Sequence, residues 1–179
     1  MAELLTSAQN PKIKRLMALR DKSRLRREEG VFVVEGRREL EHCVEAGFEV
    51  ETMFVCPEIA DSVAGAAPRS LGPKTFELSK ELYAKVAYRE GTEGVVAIVK
   101  SRELTLADID LVLSEKANTL HGAQRAPLVM VLEGVEKPGN LGAVLRSADA
   151  AGADAVIVCD PLTDLWNPNL IRASIGAIF

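Results

Sequence analysis

Two continuous apolar runs in the last third of the chain constrain its fold most strongly. Residues 128–132 and Ala155–Cys159 bracket a segment with helical spacing at residues 141–151. Apolar runs of this kind are typical of strands buried on both faces of a parallel sheet. The order strand, helix, strand predicts a βαβ unit with a right-handed crossover, and ligands of such sheets gather at the carboxyl ends of the strands. The loop at residues 133–140 should lie at that edge.

The glycines of this loop do not match the common phosphate-binding patterns. A P-loop requires Lys and then Ser or Thr after its second glycine, whereas Gly139 is followed by Asn140 and Leu141. The spacing of Gly134, Gly139 and Gly142 does not give G-x-G-x-x-G either. Nucleoside triphosphate hydrolysis and hydride transfer therefore lose their main support. A nucleotide-binding α/β enzyme of another kind is the weakest alternative.

The remaining pattern is N-x-G-x-x-x-R, formed by Asn140, Gly142 and Arg146. We expect Asn140 at the N-cap of the following helix. Six residues span about 9 Å of helix, and a long side chain leans back toward the helix N-terminus. Asn140 and Arg146 could then address one substrate. In the alternative interpretation Asn140 is only a cap, Gly142 only permits close packing, and Arg146 is a surface residue.

The first hundred residues predict a separate α/β domain. Its turn and capping signals include Pro11, Gly47 and Ser79. We predict helices at 12–19, 37–46 and 80–86, and strands at 31–34, 50–55, 75–78 and 94–99. A capped helix should begin at Thr105 and run to about Glu115. The predicted organisation is a domain at 1–105, a helix and linker at 106–126, and a second domain at 127–179.

A basic segment lies at residues 12–27, although the formal charge of the whole chain is −4. Asp21 is its one acidic residue. The basic residues are Lys12, Lys14, Arg15, Arg20, Lys22, Arg24, Arg26 and Arg27. They form either a solvated helix face or an arm that contacts nucleic-acid phosphates.

Cysteine and histidine usage excludes several kinds of site. Cys43, Cys56 and Cys159 form no C-x-x-C pair, so we expect reduced thiols rather than disulfides or a zinc site. His42 and His121 are too few for a histidine-based metal centre, and a Ser-His-Asp triad is improbable. We find no signal peptide and no membrane span, and we expect a cytoplasmic protein with no membrane partner.

Two long motifs identify a family. VLEGVEKPGNLGAVLRSADAAG at residues 131–152 resembles the first motif of the SpoU (TrmH-like) RNA ribose methyltransferases of the SPOUT superfamily. NPNLIRASIGAIF at residues 167–179 resembles the second motif. TSAQNPKIK at residues 6–14 and FVVEG at residues 32–36 resemble the substrate-binding domain that precedes the catalytic domain in many members.

The resemblance implies a fold and an activity. The fold would be α/β, with a ribosomal-protein-like substrate-binding domain followed by the first part of a trefoil-knot SPOUT methyltransferase domain. The activity would be transfer of a methyl group from S-adenosylmethionine to an RNA ribose 2′-hydroxyl, by a homodimer and without a metal. Ribosomal RNA is the expected substrate in preference to transfer RNA. The family's third motif is not found before Phe179, so we expect a truncated form.

The resemblance also implies roles for individual residues. Catalytic candidates are Asn140, Arg146 and Glu133. Cofactor-binding candidates are Asn167, Ser174 and Gly176. RNA-binding candidates are Lys12, Lys14, Arg15, Arg24, Arg26, Arg27 and Arg172. Trp166 is either a loop anchor or a platform for a base. The alternative function is that of a non-catalytic RNA-binding or dimerisation protein derived from this family.

Overall fold

A five-stranded mixed sheet organises the first hundred residues. The computed structural model describes residues 2–60, 74–88, 93–110 and 126–179. The elements of this part are β1 (Glu3–Leu5), α1 (Pro11–Asp21), α2 (Ser23–Glu29), β2 (Val31–Glu35), α3 (Arg37–Glu45), β3 (Val50–Val55), α4 (Pro57–Ala60), β4 (Thr75–Leu78), α5 (Lys80–Val86) and β5 (Val95–Lys100). The strand order is β1-β4-β3-β5-β2. β4 pairs in parallel with β1 and β3, and β5 pairs antiparallel with β3 and β2.

The basic segment folds as two helices rather than one. α1 begins as predicted, because Asn10 caps it by accepting from the Lys12 amide at 2.9 Å and Pro11 occupies the first turn. The extended backbone of Lys22 ends α1 and begins α2. α2 ends at Gly30, whose φ of 63° is left-handed. The turn redirects the chain into β2.

Helices cover the two faces of the sheet. Ile13, Leu16 and Leu82 of α1 and α5 are buried against one face. Leu40 and Cys43 of α3 are buried against the other. Burial raises the pKa of the Cys43 thiol to about 12. Cys43 and Cys56 are buried in the core as free thiols, whereas Cys159 is free and exposed.

The second unit is the βαβ arrangement that the apolar runs predict. β6 (Val129–Glu133) pairs in parallel with β7 (Ala155–Cys159), and the helix Pro138–Ala150 joins them. The described residues 106–110 are helical and are labelled α6, so the joining helix is α7 and Pro168–Ser174 is α8.

The predicted start of the α7 helix is wrong. We expected Asn140 at the N-cap and a first helical residue at 141. Instead Lys137 is the N-cap and Pro138 is the first residue of the helix. A proline is well suited to this position, because its φ is helical and its missing N–H has no partner to lose. Asn140 therefore lies within the first turn.

The predicted helix at Thr105 is confirmed at its start. Asp108 accepts hydrogen bonds from the amide and the hydroxyl of Thr105, and residues 106–110 are helical. Its predicted continuation to residue 115 and most of the predicted linker at 116–126 lie outside the described residues.

The second unit completes the core of the first. Trp166 stacks on Phe32 of β2 with ring centroids 4.2 Å apart, and Ile171 and Phe179 belong to the same apolar cluster. Trp166 is therefore a loop anchor. A buried ion pair, Arg26 with Asp164, crosses the same junction. The face of the sheet beside α3 is closed partly by residues 164–179.

Candidate functional site

The two helices that carry the family motifs cross in backbone contact. Gly142 of α7 is buried, and a Cβ built on it would lie 2.6 Å from Ala173 Cβ and 2.9 Å from the Ser174 nitrogen. Since real Cβ atoms do not approach this closely, a side chain at position 142 would force α7 and α8 apart. Gly142 thus sets the distance between the two motifs.

Arg146 bridges the same crossing. It lies four residues after Gly142, on the same face of α7. Its Nη1 donates a hydrogen bond to the Ala173 carbonyl oxygen. A guanidinium carries five N–H donors, and this is the one hydrogen bond or ion pair of Arg146 among the residues that the structure describes. The side chain is exposed, so its other donors can reach an external group.

The other two catalytic candidates lie apart from Arg146. Residues six apart on a helix point about 120° away from each other, so Asn140 does not share a face with Arg146. Glu133 ends β6 and is exposed, as is Asn140. The structure brings Glu133 and Asn140 to the carboxyl end of β6 and places Arg146 further along α7.

The cofactor-binding candidates are occupied by local contacts. Asn167 caps α8 by accepting from the Asn169 amide at 2.8 Å. Ser174 is fully buried and its hydroxyl donates to the Ile171 carbonyl at 2.7 Å. Gly176 has a φ of 89°, and a Cβ there would lie 2.6 Å from His42 Cδ2. Gly176 therefore packs against the first domain.

The loops after β6 and β7 adjoin at the carboxyl edge of the two-stranded sheet. Gly134 donates to Cys159 at 3.1 Å, and Leu162 donates to Val135 at 3.3 Å. A Cβ built on Gly134 or Gly139 would meet no atom within 4 Å. Open backbone at this edge suits a nucleoside ligand.

The predicted RNA contact of Arg26 is wrong. Its side chain is 3% exposed. The guanidinium donates to Asp164 at 2.5 and 2.8 Å and to the carbonyl oxygens of Leu19 and Arg20. An arginine held by four hydrogen bonds inside the domain junction cannot reach a phosphate. Nothing in a linear run of basic residues distinguishes the buried one.

Carboxylates accompany most of the other basic candidates. Lys12 pairs with Glu3, Arg24 with Glu28, and Arg15 with both Glu29 and Glu51. The hydrogen bond from Arg15 lowers the pKa of Glu51. Within the described part of the chain, Lys14 and Arg27 are exposed with no ion pair.

A cavity of about 180 Å³ lies between the first domain and α8. Glu35, Glu39 and Glu93 line it from the first domain, and Ile171 and Arg172 line it from α8. Arg172 Nη1 is buried with no hydrogen-bond partner. Sequence reasoning missed the cavity, because its residues are far apart in the chain. The predicted role of Arg172 was the only signal near it.

The described ranges meet neither the requirements of a membrane-spanning helix nor those of a three-ligand metal site. No helix there has the length and apolar character to cross a membrane. Among the same residues, no three of the His, Cys, Asp and Glu side chains are grouped as metal ligands.

Two family models match separate parts of the chain. The MRM3-like substrate binding domain matches residues 10–97, and the SpoU rRNA Methylase family matches residues 127–179. The second match contains both motifs of the α7–α8 crossing.

Two curated relatives are named as 23S rRNA 2'-O-methyltransferases. The 23S rRNA (guanosine(2553)-2'-O)-methyltransferase RlmP of Bacillus subtilis is 27% identical over 98% of this chain and 62% of its own length. The 23S rRNA (guanosine-2'-O-)-methyltransferase RlmB of Haemophilus influenzae is 44% identical over 50% of this chain and 33% of its own length. The chain thus spans 33% to 62% of the length of these relatives.

Solved structures share the fold of both units. An RNA 2'-O ribose methyltransferase superposes with a TM-score of 0.71 at 35% identity, over 98% of this chain and 62% of that one. An AdoMet-bound rRNA methyltransferase from Sinorhizobium meliloti gives 0.76 at 26% identity, over 99% of this chain and 62% of that one.

Proposed function

Because the chain belongs to the SpoU methylase family, with an MRM3-like substrate-binding domain, we propose that it transfers a methyl group from S-adenosylmethionine to an RNA ribose 2′-hydroxyl. The observation that carries the proposal is the placement of Arg146. Its guanidinium is fixed by the Ala173 carbonyl of the second motif and keeps further donors exposed.

When bound, S-adenosylmethionine supplies an electrophilic methyl group on a sulfonium. The ribose 2′-oxygen forms the new bond to carbon, the sulfur–carbon bond breaks, and the 2′-hydroxyl proton must leave. An arginine with a pKa above about 12 is a poor base. We therefore assign Arg146 the stabilisation of negative charge on the 2′-oxygen or its neighbouring phosphate, and the proton passes to water or a phosphate oxygen.

The other site candidates receive roles that fit their contacts. Glu133 and Asn140 orient the ribose or the cofactor at the carboxyl edge of β6. Asn167 holds the start of α8 beside that edge through its cap. Ser174 and Gly176 act through the backbone that they position, since the hydroxyl is engaged and the glycine packs on His42.

RNA would be held by the first domain through a few exposed cations. Lys14 and Arg27 are the strongest candidates, whereas Arg172 lines the cavity at the junction and would contact RNA only there. Lys12, Arg15 and Arg24 would have to exchange a carboxylate partner for a phosphate. Binding should weaken with salt, with a slope of about 0.7 per phosphate contact for single-stranded RNA. We propose ribosomal RNA as the substrate.

Assembly and location complete the proposal. Val131 and Leu162 are 61% and 70% exposed near the two-stranded sheet. Exposed apolar side chains of this size favour association, and we propose a homodimer in the cytoplasm.

The test compares two substitutions on the same helix in the full-length protein. Arg146→Ala should reduce transfer of labelled methyl groups from S-adenosylmethionine to ribosomal RNA by at least about a hundredfold, the scale for losing one oxyanion donor. Asp149→Asn changes an exposed residue of α7 and should leave the rate unchanged. Normal turnover of Arg146→Ala would remove the arginine from the mechanism. Absence of transfer by the wild type, with intact RNA binding, would favour a non-catalytic RNA-binding protein.

A further inference from the structure

The cavity beside α8 contains an acceptor and a donor that do not satisfy each other. Glu39 and Arg172 both line it. Among the described residues, no hydrogen bond or ion pair engages the Glu39 carboxylate, and Arg172 Nη1 is buried without a partner. Buried polar groups are normally paired, so the unpaired Arg172 Nη1 requires a partner. Because the half-buried Glu39 carboxylate lines the same cavity, an external ligand there would meet both a donor and an acceptor.

The other charged groups of the cavity are already engaged. Glu93 accepts from the amides of Arg37 and Arg38 at the start of α3. Glu35 accepts from the Tyr88 amide at 2.8 Å. Arg20 donates to the Val86 carbonyl and pairs with Asp21. These contacts leave Glu39 and Arg172 as the groups available to a ligand.

The size and charge of the cavity restrict that ligand. Its volume of about 180 Å³ is below the roughly 300–1,000 Å³ of pockets that enclose drug-sized molecules. It therefore suits one planar base rather than a whole nucleotide. Three carboxylates against two guanidinium groups line the wall, so a phosphate would be repelled.

The Glu39 carboxylate points back toward Gly36, at the start of α3. A Cβ built on Gly36 would lie 2.6 Å from Glu39 Oε2. The carboxylate therefore lies over the turn between β2 and α3, inside the cavity. Tyr88, which is 46% exposed, lies at the rim, and its hydroxyl accepts from Asn169 Nδ2 at 3.0 Å. Aromatic side chains in RNA-binding proteins commonly stack on an unpaired base.

We propose that this cavity takes an unpaired guanine base of the RNA, an inference that rests on the proposed function. Guanine presents two adjacent donors, N1–H and the 2-amino group, which match the two oxygens of the Glu39 carboxylate. Its O6 accepts from Arg172, and arginine with guanine O6 is a common specific contact. Adenine and uracil lack the paired donors.

Arg172 places the base close to the methyl-transfer site. It precedes Ala173, whose carbonyl holds Arg146. A base bound between Glu39 and Arg172 would fix the register of the RNA relative to Arg146. Base recognition would then be shared between the first domain and the second motif.

The test is fluorescence anisotropy with oligouridine RNAs that carry one central guanosine, inosine, adenosine or uridine. Inosine keeps O6 and N1–H but lacks the 2-amino group. The wild-type chain should bind the guanosine RNA about tenfold more tightly than the inosine RNA, within the range for one bidentate base contact. Uridine offers N3–H and O4 much as inosine offers N1–H and O6, so the uridine RNA should also bind more weakly than the guanosine RNA.

Three variants assign the contacts. Glu39→Gln should abolish the difference between guanosine and inosine and leave binding of the uridine RNA unchanged. Glu45→Gln, an exposed carboxylate on the same helix, should keep the difference. Arg172→Met should weaken binding of the guanosine RNA and of the inosine RNA by the same factor, since both bases present O6.

The outcomes separate this inference from the proposed function. Salt-dependent binding of all four RNAs with equal affinity would overturn the guanine pocket and leave the RNA substrate in place. A persistent guanosine preference in Glu39→Gln would also overturn it. No binding of any RNA at low salt would contradict the proposed function itself.

Discussion

Removal of the Asp164 carboxylate should destabilise the junction between the two units strongly. The pair that Asp164 forms with Arg26 is nearly out of solvent, with side chains 10% and 3% exposed. Breaking a buried pair by removing one partner costs about 3–5 kcal/mol, because the other charge remains buried. Arg26 would keep two carbonyl partners at the end of α1. We therefore expect Asp164→Ala to cost about 3 kcal/mol, the lower end of that range.

The single tryptophan provides the assay. Trp166 stacks on Phe32 across this junction, so its fluorescence reports directly on the contact that Asp164 supports. In a urea titration with an m-value of about 2 kcal/mol/M, the midpoint should fall by about 1.5 M. The matched control is Glu28→Ala, which breaks the exposed pair with Arg24 and should change stability by less than about 1 kcal/mol.

Two results would refute this reasoning. One is an Asp164→Ala midpoint within error of the Glu28→Ala midpoint. The other is a double variant, Arg26→Met with Asp164→Leu, that is less stable than Asp164→Ala alone. Apolar replacement of both partners should recover stability if an uncompensated buried charge causes the loss.

Two further predictions concern the helix crossing and the pH dependence. Gly142→Ala should destabilise the chain by about 1–3 kcal/mol, because the new Cβ would overlap Ala173. Gly139→Ala places its Cβ in open space and should not destabilise the chain. Urea titration of both variants measures the difference. A hydrogen bond from Arg15 lowers the folded-state pKa of Glu51. The ionised Glu51 carboxylate therefore contributes fully to folding stability above the ordinary glutamate pKa of 4.5, and this contribution is lost as the pH falls through the folded-state pKa. Stability curves of the wild type and Glu51→Gln should therefore converge in acid, and a constant gap would contradict this assignment.

Local signals predicted most of the secondary structure. Asn10 with Pro11, Ser79 and Gly47 each specify a helix end through their own side chain or backbone, and the structure places them there. Lys137 at the cap of α7 was missed, because the Asn140 side chain is the better cap in isolation and the proline at the first helical position outweighed it.

Long-range contacts explain what the sequence could not predict about the site. Arg26 resembles its basic neighbours along the chain, and only the approach of Asp164, 138 residues later, makes it a buried partner. The cavity needs Glu39 and Arg172 on opposite sides of the junction. Packing between the two units determines both the buried ion pair and the cavity, and no local sequence pattern encodes that packing.

The most direct test of the proposed activity is the chemical position of the transferred methyl group. Ribosomal RNA would be labelled by the full-length protein with methyl-labelled S-adenosylmethionine and then digested completely with alkali. A 2′-O-methyl group removes the nucleophile that cleaves the adjacent phosphodiester, so ribose methylation should leave the label in an alkali-resistant dinucleotide. Label released in mononucleotides would mean base methylation, and absence of label would mean no transfer; either result would contradict a ribose 2′-O-methyltransferase activity.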